Sequence, residues 1–323
     1  MTDHSSSATE ESQARAMRSP GRRALRYLQP APRLAAVLVL ALATAIWGAS
    51  FVVAKGLVDD YDPMSVLVLR FAIGTAALWA LRPGAVRSLA PTDRRHAGVI
   101  GLLLGVAQVP HYFGVRESSA SAAAFLIGTY VIATPIFDRL LYGVRTSRTA
   151  AAGAVLALCG MGLFASGGTV SALGLILCLS AAILYAVQIS TVGAWVPPSN
   201  IWGFTTVTVA AITVALAPPA IVRGLEVPTS PPDWLRLLYL ALVAGVAGVA
   251  MQAWAQRRIA ATQAAVILVM EPVWAAGLAV LFTTETLDAQ LMIGGAVLLV
   301  ANLVVALGSR RGAQPAGGRR TWS

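Results

Sequence analysis

The stretch ILVMEPVWAAGLAVLF, Ile267 to Phe282, is apolar throughout except for one carboxylate, Glu271, followed at once by Pro272. An ionised carboxylate inside a hydrocarbon-like segment costs several kcal/mol unless it is paired, hydrated or protonated, so Glu271 is expected to point inward. Pro272 lacks a backbone N–H and its ring clashes one turn back, which frees a carbonyl near Leu268 and bends the helix. A free carbonyl beside a carboxylate is tolerated only where it lines a cavity or meets protein. Glu271 is therefore a candidate substrate or proton position; the other reading is a structural ion pair that holds two helices together.

The rest of the chain places this stretch in a membrane. Of 323 residues, 57% are hydrophobic and 12% charged, about half the charged fraction of an ordinary soluble domain. Ten apolar runs are long enough to cross a hydrocarbon core of about 30 Å as helices. They are Leu34 to Val58, Met64 to Leu81, Ala97 to Val115, Ala120 to Tyr142, Thr149 to Ala165, Ala172 to Trp195, Ile201 to Val222, Trp234 to Ala255, Ala260 to Phe282 and Ala289 to Leu307. The short alternating segments of a membrane barrel are absent from the pattern, and the linkers leave no room for a soluble domain. Residues 1–33, rich in Ser and Arg, are expected to be a disordered cytoplasmic tail. Arg22-Arg23 ahead of the first run raises a cleavable-signal reading, but the length of that run and the nine that follow favour a first transmembrane helix. Cys159 and Cys178 fall in apolar runs and read as packing residues.

The net charge of +10 is informative by position rather than by sum. With ten helices and an internal N-terminus, about 18 arginines fall on the cytoplasmic side and about 3 (Arg116, Arg223, Arg236) on the other, the bias that fixes orientation during insertion. Both termini, including the basic tail 309–323, are thus expected in the cytoplasm. The basic loops read as topology signals and anionic-lipid contacts, and no nucleic-acid partner is expected. One inner loop, VPPSN at Val196 to Asn200, carries no basic residue.

The chain also repeats itself. LATAIW ending at Trp47 resembles SAAILY ending at Tyr185, and VPHYFGVR (Val109 to Arg116) stands against VAMQAWAQR (Val249 to Arg257). Two like units of five helices, 34–167 and 168–308, must insert in opposite orientations because five is odd. The expected fold is an all-α membrane protein of ten transmembrane helices in two inverted five-helix repeats, a plan of many secondary transporters. No metal-spaced His or Cys cluster and no paired carboxylates at catalytic spacing appear, so neither a metal, a cofactor nor an enzymatic activity is expected.

Other polar residues at depth extend the candidate pathway. Arg70 in the second run can pair with an acid or a substrate carboxylate, or pack against backbone carbonyls. Lys55 is close enough to a surface to snorkel. His111 titrates near neutral pH, which suits proton coupling, though a lone His in an apolar helix is also a common hydrogen-bonded interior residue. Trp47 and Tyr185, at matching places in the two halves, suit an aromatic substrate wall or simple packing. Asp138 and Arg139 are adjacent and point about 100° apart, so they do not pair with each other. Gln188, Gln252 and Asn302 are expected to make interhelical hydrogen bonds, and Trp79, Trp195, Trp202 and Trp234 to sit in interfacial belts. The GLLLG of Gly101 to Gly105 allows close backbone approach within the bundle or in a homodimer.

Four stretches carry a family likeness: AIWGASFVVAK (Ala45 to Lys55), LRF (Leu69 to Phe71), MEPVWAAGLAVLFTTETL (Met270 to Leu287) and GGAVLLVANLV (Gly294 to Val304). In these the sequence resembles the drug/metabolite transporter superfamily, specifically its ten-helix EamA-type members, over roughly Leu34 to Leu307. The resemblance implies a bacterial inner-membrane carrier of small metabolites, often amino acids or amphipathic compounds and frequently an exporter. The first half departs from the pattern: Val144 stands opposite the acidic Glu285, Tyr130 opposite Glu271, and Pro135, the expected kink of the fourth run, about one turn beyond the position matching Pro272. The expected mechanism is alternating access around a cavity between the halves, beside Trp47, Arg70, Tyr185 and Glu271, with a proton on Glu271 driving export. The rival is a membrane scaffold whose ionic residues only lock helices together.

Overall fold

The computed structural model describes residues 30–143, 148–166, 170–195, 200–256, 258, 267–286 and 288–308. The segment 1–29, Val144, Arg145, Val196 to Ser199, Arg257, Ile259, residues 260–266 of the ninth run and the tail 309–323 lie outside the described residues. Those described are helical: α1 (Pro30–Val58), α2 (Pro63–Leu81), α3 (Pro91–Arg116), α4 (Ala120–Ile127), α5 (Tyr130–Tyr142), α6 (Arg148–Ser166), α7 (Ala172–Trp195), α8 (Ile201–Val222), α9 (Pro231–Leu238), a π-helical segment (Tyr239–Ala247), α10 (Gly248–Gln256), α11 (Glu271–Phe282) and α12 (Ala289–Gly308). Among the described residues there is no strand, only an isolated bridge between Ser118 and Val170. Seven helical spans there are long and apolar enough to cross a membrane, and the fifth, ninth and tenth expected spans contribute the shorter apolar helices Ala151–Gly160, Glu271–Phe282 and Leu291–Val304.

Local chemistry sets the helix starts. Asp62, Ser119, Asn200 and Ser230 each accept a hydrogen bond from a backbone N–H in the first turn of α2, α4, α8 and α9, satisfying donors that have no intrahelical partner. Pro63, Pro91 and Pro231 stand in first turns, where the missing N–H costs nothing.

Two expectations about proline are corrected. Pro272 does not bend a continuous ninth helix: a turn at Val269–Met270 interrupts it, and Pro272 stands in the first turn of α11. In the fourth span the break falls not at Pro135, which is inside α5, but at Gly128–Thr129, between α4 and α5. Glu271 and Tyr130, paired by the internal register, thus each open a half-helix. The two breaks touch: a Cβ on Gly128 would meet Pro272 Cγ at 3.2 Å.

Packing follows small residues, as it must where lipid is as apolar as leucine. All eight residues of α4 are buried, and its core includes Phe51, Leu67, Phe71, Tyr112 and Ala275. Along α1, Ala36, Leu40 and Ala43 are buried while Leu34, Leu38 and Leu42 are more than half exposed, a stripe at four-residue spacing suited to acyl chains. The main contacts are α6 with α12, α3 with α7 and α8, α2 with α8, and α1 with α11 and α10. The GLLLG glycines serve inside the bundle: a Cβ on Gly101 would lie 2.3 Å from the Thr208 carbonyl oxygen and one on Gly105 3.5 Å from Ile212. Gly101→Val is therefore expected to force α3 from α8 and lower stability by about 1–3 kcal/mol. Gly98→Val, on the same helix with nothing within 4 Å, is the control. Thermal unfolding in detergent reads the difference, and equal midpoints would refute the close approach.

Candidate functional site

A cavity of about 240 Å³ opens among α1, α2, α3, α8 and the π-helical segment. Its wall runs from Ala54 and Arg70, four and seven residues from the ends of α1 and α2 that meet near Asp62, to Leu78 and Thr205, three and four residues from the opposite helix ends. Trp47, Phe71 and Leu104 make it apolar; Arg70, Gln108 and His111 make it polar at one end. That volume is below the roughly 300–1,000 Å³ of drug-sized pockets.

Backbone irregularity shapes this wall. In the π-helical segment the Gly248 N–H reaches back to the Val243 carbonyl, where an ordinary α turn would use Ala244. The Ala244 carbonyl accepts a 2.9 Å hydrogen bond from the Trp47 indole N–H. The Tyr239 hydroxyl donates to the Ile46 carbonyl at 2.7 Å. The segment is thus tied to α1 at its first residue and again at Ala244, and Trp47 is held in place as part of the wall.

Arg70 is held by contacts that leave its charge unneutralised. One guanidinium N–H donates to the Tyr112 hydroxyl, and its carbon lies 5.3 Å from the Phe71 ring centre and 5.6 Å from that of Tyr112, within cation–π range. The three ion pairs among the described residues are Lys55–Asp59, Arg223–Asp62 and Arg236–Asp233. Neither Arg70 nor Glu271 belongs to any of them, so among the described residues no ion pair locks the second span to the ninth.

Behind the cavity an aromatic chain leads to the acid. His111 Nδ1 is 2.7 Å from the Tyr185 hydroxyl, and the imidazole stacks on Phe51 at 5.3 Å. The Tyr185 and Tyr130 rings meet edge-on at 6.3 Å, and Tyr130 follows the Gly128–Thr129 break that faces Pro272, the neighbour of Glu271. The structure therefore brings Trp47, Arg70 and His111 to the cavity and sets Tyr185, Tyr130 and Glu271 behind it. Lys55 belongs to neither group. Its ammonium donates to Asp59 at 2.7 Å and to the Arg116 carbonyl at 2.8 Å at the end of α1.

Two residues of the site were not singled out from the sequence, Tyr112 and Gln108. Both lie in AQVPHYF, four apart, a spacing that puts them on one helix face; an amide and a phenol one turn apart beside His111 were the available signal. Asn302 departs from its expected role, since its amide oxygen has no hydrogen-bond partner among the described residues. Among the described residues no group of three His, Cys, Asp or Glu could hold a metal ion, and Cys159 and Cys178 are unbridged.

The end where α1 meets α2 is tied to the second half of the chain. Asp62 holds Arg223 at 2.7 Å, its N–H donates to Glu226 at 2.5 Å, and Tyr61 donates to Asp233 at 3.0 Å. Arg223 also covers the Phe113 ring at 5.7 Å. At a neighbouring connection Glu285 accepts from the Ala120 N–H at 2.6 Å and the Ser121 hydroxyl at 2.7 Å, capping α4 from the other half. Burial alone would raise the Asp62 carboxyl, but the Arg223 guanidinium and the Met64 N–H outweigh it and hold it below its ordinary value.

The sequence pattern of the EamA-like transporter family matches this chain twice, over residues 34–166 and 172–307. The chain belongs to the EamA-like transporter family. It is thus a member of the drug/metabolite transporter superfamily and a multi-pass membrane transporter. A relative from Archaeoglobus fulgidus, described as an uncharacterized transporter, is 29% identical over 275 residues, covering 85% of this chain and 87% of its own. A solved crystal structure superposes with a TM-score of 0.59 at 20% identity, over 87% of this chain and 99% of that one, a likeness of fold alone.

Proposed function

We infer that this EamA-family transporter is a ten-helix secondary carrier that exports small amino-acid-like or amphipathic metabolites by alternating access, driven by protons. The observation that carries this reading is the Arg70 guanidinium, set in an apolar-walled cavity without a carboxylate partner among the described residues. A cation kept unneutralised at membrane depth is costly, and a substrate supplies the missing charge. Two five-helix units of opposite insertion are supported by the paired family matches. The helix contacts add support, because the third span packs on the sixth as the eighth does on the first, and the ninth on the first as the fourth does on the sixth. The arginine bias of the loops supports a bacterial inner membrane with both termini cytoplasmic.

In that orientation the Leu78–Thr205 end of the cavity faces the cytoplasm, and the Asp62–Arg223 cluster lies beyond the Ala54–Arg70 end, where it serves as the periplasmic closure. The test of function is flux: the full chain in proteoliposomes is loaded with labelled leucine, isopentylamine or a hydrophobic drug, and efflux is followed with and without a pH gradient. No flux of any probe under either condition would favour a scaffold.

The periplasmic cluster yields a separate expectation. Asp62 has a lowered pKa, so its contribution to closure is present above the ordinary carboxylate value and is lost only as pH falls through the lowered one. Closure is thus unaffected between about pH 5 and 8. Asp62→Asn is expected to open that end at all these pH values, raising severalfold the labelling of an Ala54→Cys reporter by an impermeant maleimide added from outside. Labelling equal to that of the reporter alone would show that the cluster is no closure.

A further inference from the structure

At its Arg70 end the cavity presents two polar groups to a ligand, the Arg70 guanidinium on α2 and the Gln108 amide on α3. Tyr112 positions the Arg70 guanidinium; Gln108 lies one turn away on the same face of α3, lines the same cavity and is 8% exposed. Its amide oxygen has no hydrogen-bond partner among the described residues, although buried amide oxygens are nearly always paired. Neighbouring polar groups are committed. The Trp47 indole is held by Ala244, the Ser50 hydroxyl by the Trp47 carbonyl and His111 Nδ1 by Tyr185. A terminal amide turns about its last torsion at little cost, so a ligand seated at Arg70 can draw the Gln108 oxygen toward itself.

We propose that Gln108 determines the substrate class: together with Arg70 it selects a small apolar monocarboxylate that carries an N–H donor beside its carboxylate, and it excludes amphipathic cations. This rests on the reading of the cavity as the substrate site. The carboxylate takes the free N–H groups of Arg70, and the ligand N–H satisfies the orphan oxygen. The apolar body lies against Trp47, Phe71 and Leu104. A cation without a carboxylate meets the guanidinium charge with nothing to offset it. A carboxylate without an N–H leaves Gln108 unpaired, the kind of mismatch that buried polar sites reject strongly.

Occupancy can be read without transport. Gly74 lines the cavity, and a Cβ there would meet nothing closer than 3.7 Å, so Gly74→Cys in a Cys159→Ser background reports through its rate of alkylation by N-ethylmaleimide. Cys178 is buried. In proteoliposomes of the full chain, leucine is expected to protect at concentrations at least about tenfold lower than isovalerate, and isopentylamine not to protect. Gln108→Met is expected to bring leucine to the level of isovalerate while leaving isovalerate unchanged. Gln108→Glu is expected to weaken both carboxylates and let isopentylamine protect. The proposal is overturned if leucine and isovalerate protect alike in the unsubstituted chain, if the amine protects best, or if both variants keep the original ranking. Leucine efflux from the same vesicles separates the two readings. Protection without efflux removes the transport reading and leaves the binding proposal standing; efflux without protection removes the cavity from the route and overturns the proposal.

Discussion

Glu271→Gln is expected to abolish accumulation driven by a pH gradient while leaving substrate exchange across the membrane intact. If one proton moves against one substrate, a gradient of one pH unit supports about a tenfold concentration ratio; with glutamine at this position the ratio falls to about one. The expectation rests on where the acid stands. Glu271 opens α11, where unpaired N–H groups and the helix dipole favour a carboxylate. It belongs to none of the ion pairs among the described residues, and its counterpart Tyr130 meets Tyr185 edge-on, which holds the cavity residue His111. A carboxylate fixed by an arginine would hold its charge through the cycle. This one is free to exchange it. Gradient-driven efflux and counterflow, measured on the same vesicles, separate coupling from collapse of the fold: loss of both would mean that Glu271 is structural, and full retention of the gradient response would remove it from coupling.

What could be read from the chain differs between chemistry and geometry. The apolar runs, Arg70, His111 and the lone acid stand out because ionisable groups are rare in hydrocarbon, so each is visible without knowing its neighbours. The break opposite Glu271 was not visible. Pro135 reads as the breaker, yet the chain turns at Gly128–Thr129, where Gly128, lacking a side chain, lies against Pro272. That neighbour lies 144 positions away in the sequence. The π-helical segment was hidden for the same reason: YLALVAGVA carries no local irregularity, and the wider turn is held by Trp47 and Tyr239 reaching across to or from α1. Lys55 shows the opposite limit. Its charge was legible, but only the folded chain brings the Arg116 carbonyl to it and removes it from the pathway.

Arg70→Gln is expected to lower efflux about 10- to 100-fold, the loss of a charge-assisted contact to a bound carboxylate. Arg70→Lys is expected to recover part of it, with a raised KM, because an ammonium keeps the charge but not the planar fork that lies against Phe71 and Tyr112. Stability is expected to move the other way. A cation at depth without a carboxylate partner is a cost to the fold, so the thermal midpoint of Arg70→Gln should equal or exceed that of the unsubstituted chain. A residue kept for packing would lose stability and flux together. Loss of flux at unchanged or higher midpoint marks a group retained at the expense of stability because a ligand needs it. Loss of both in parallel would return Arg70 to a structural role and leave the cavity without its anchor.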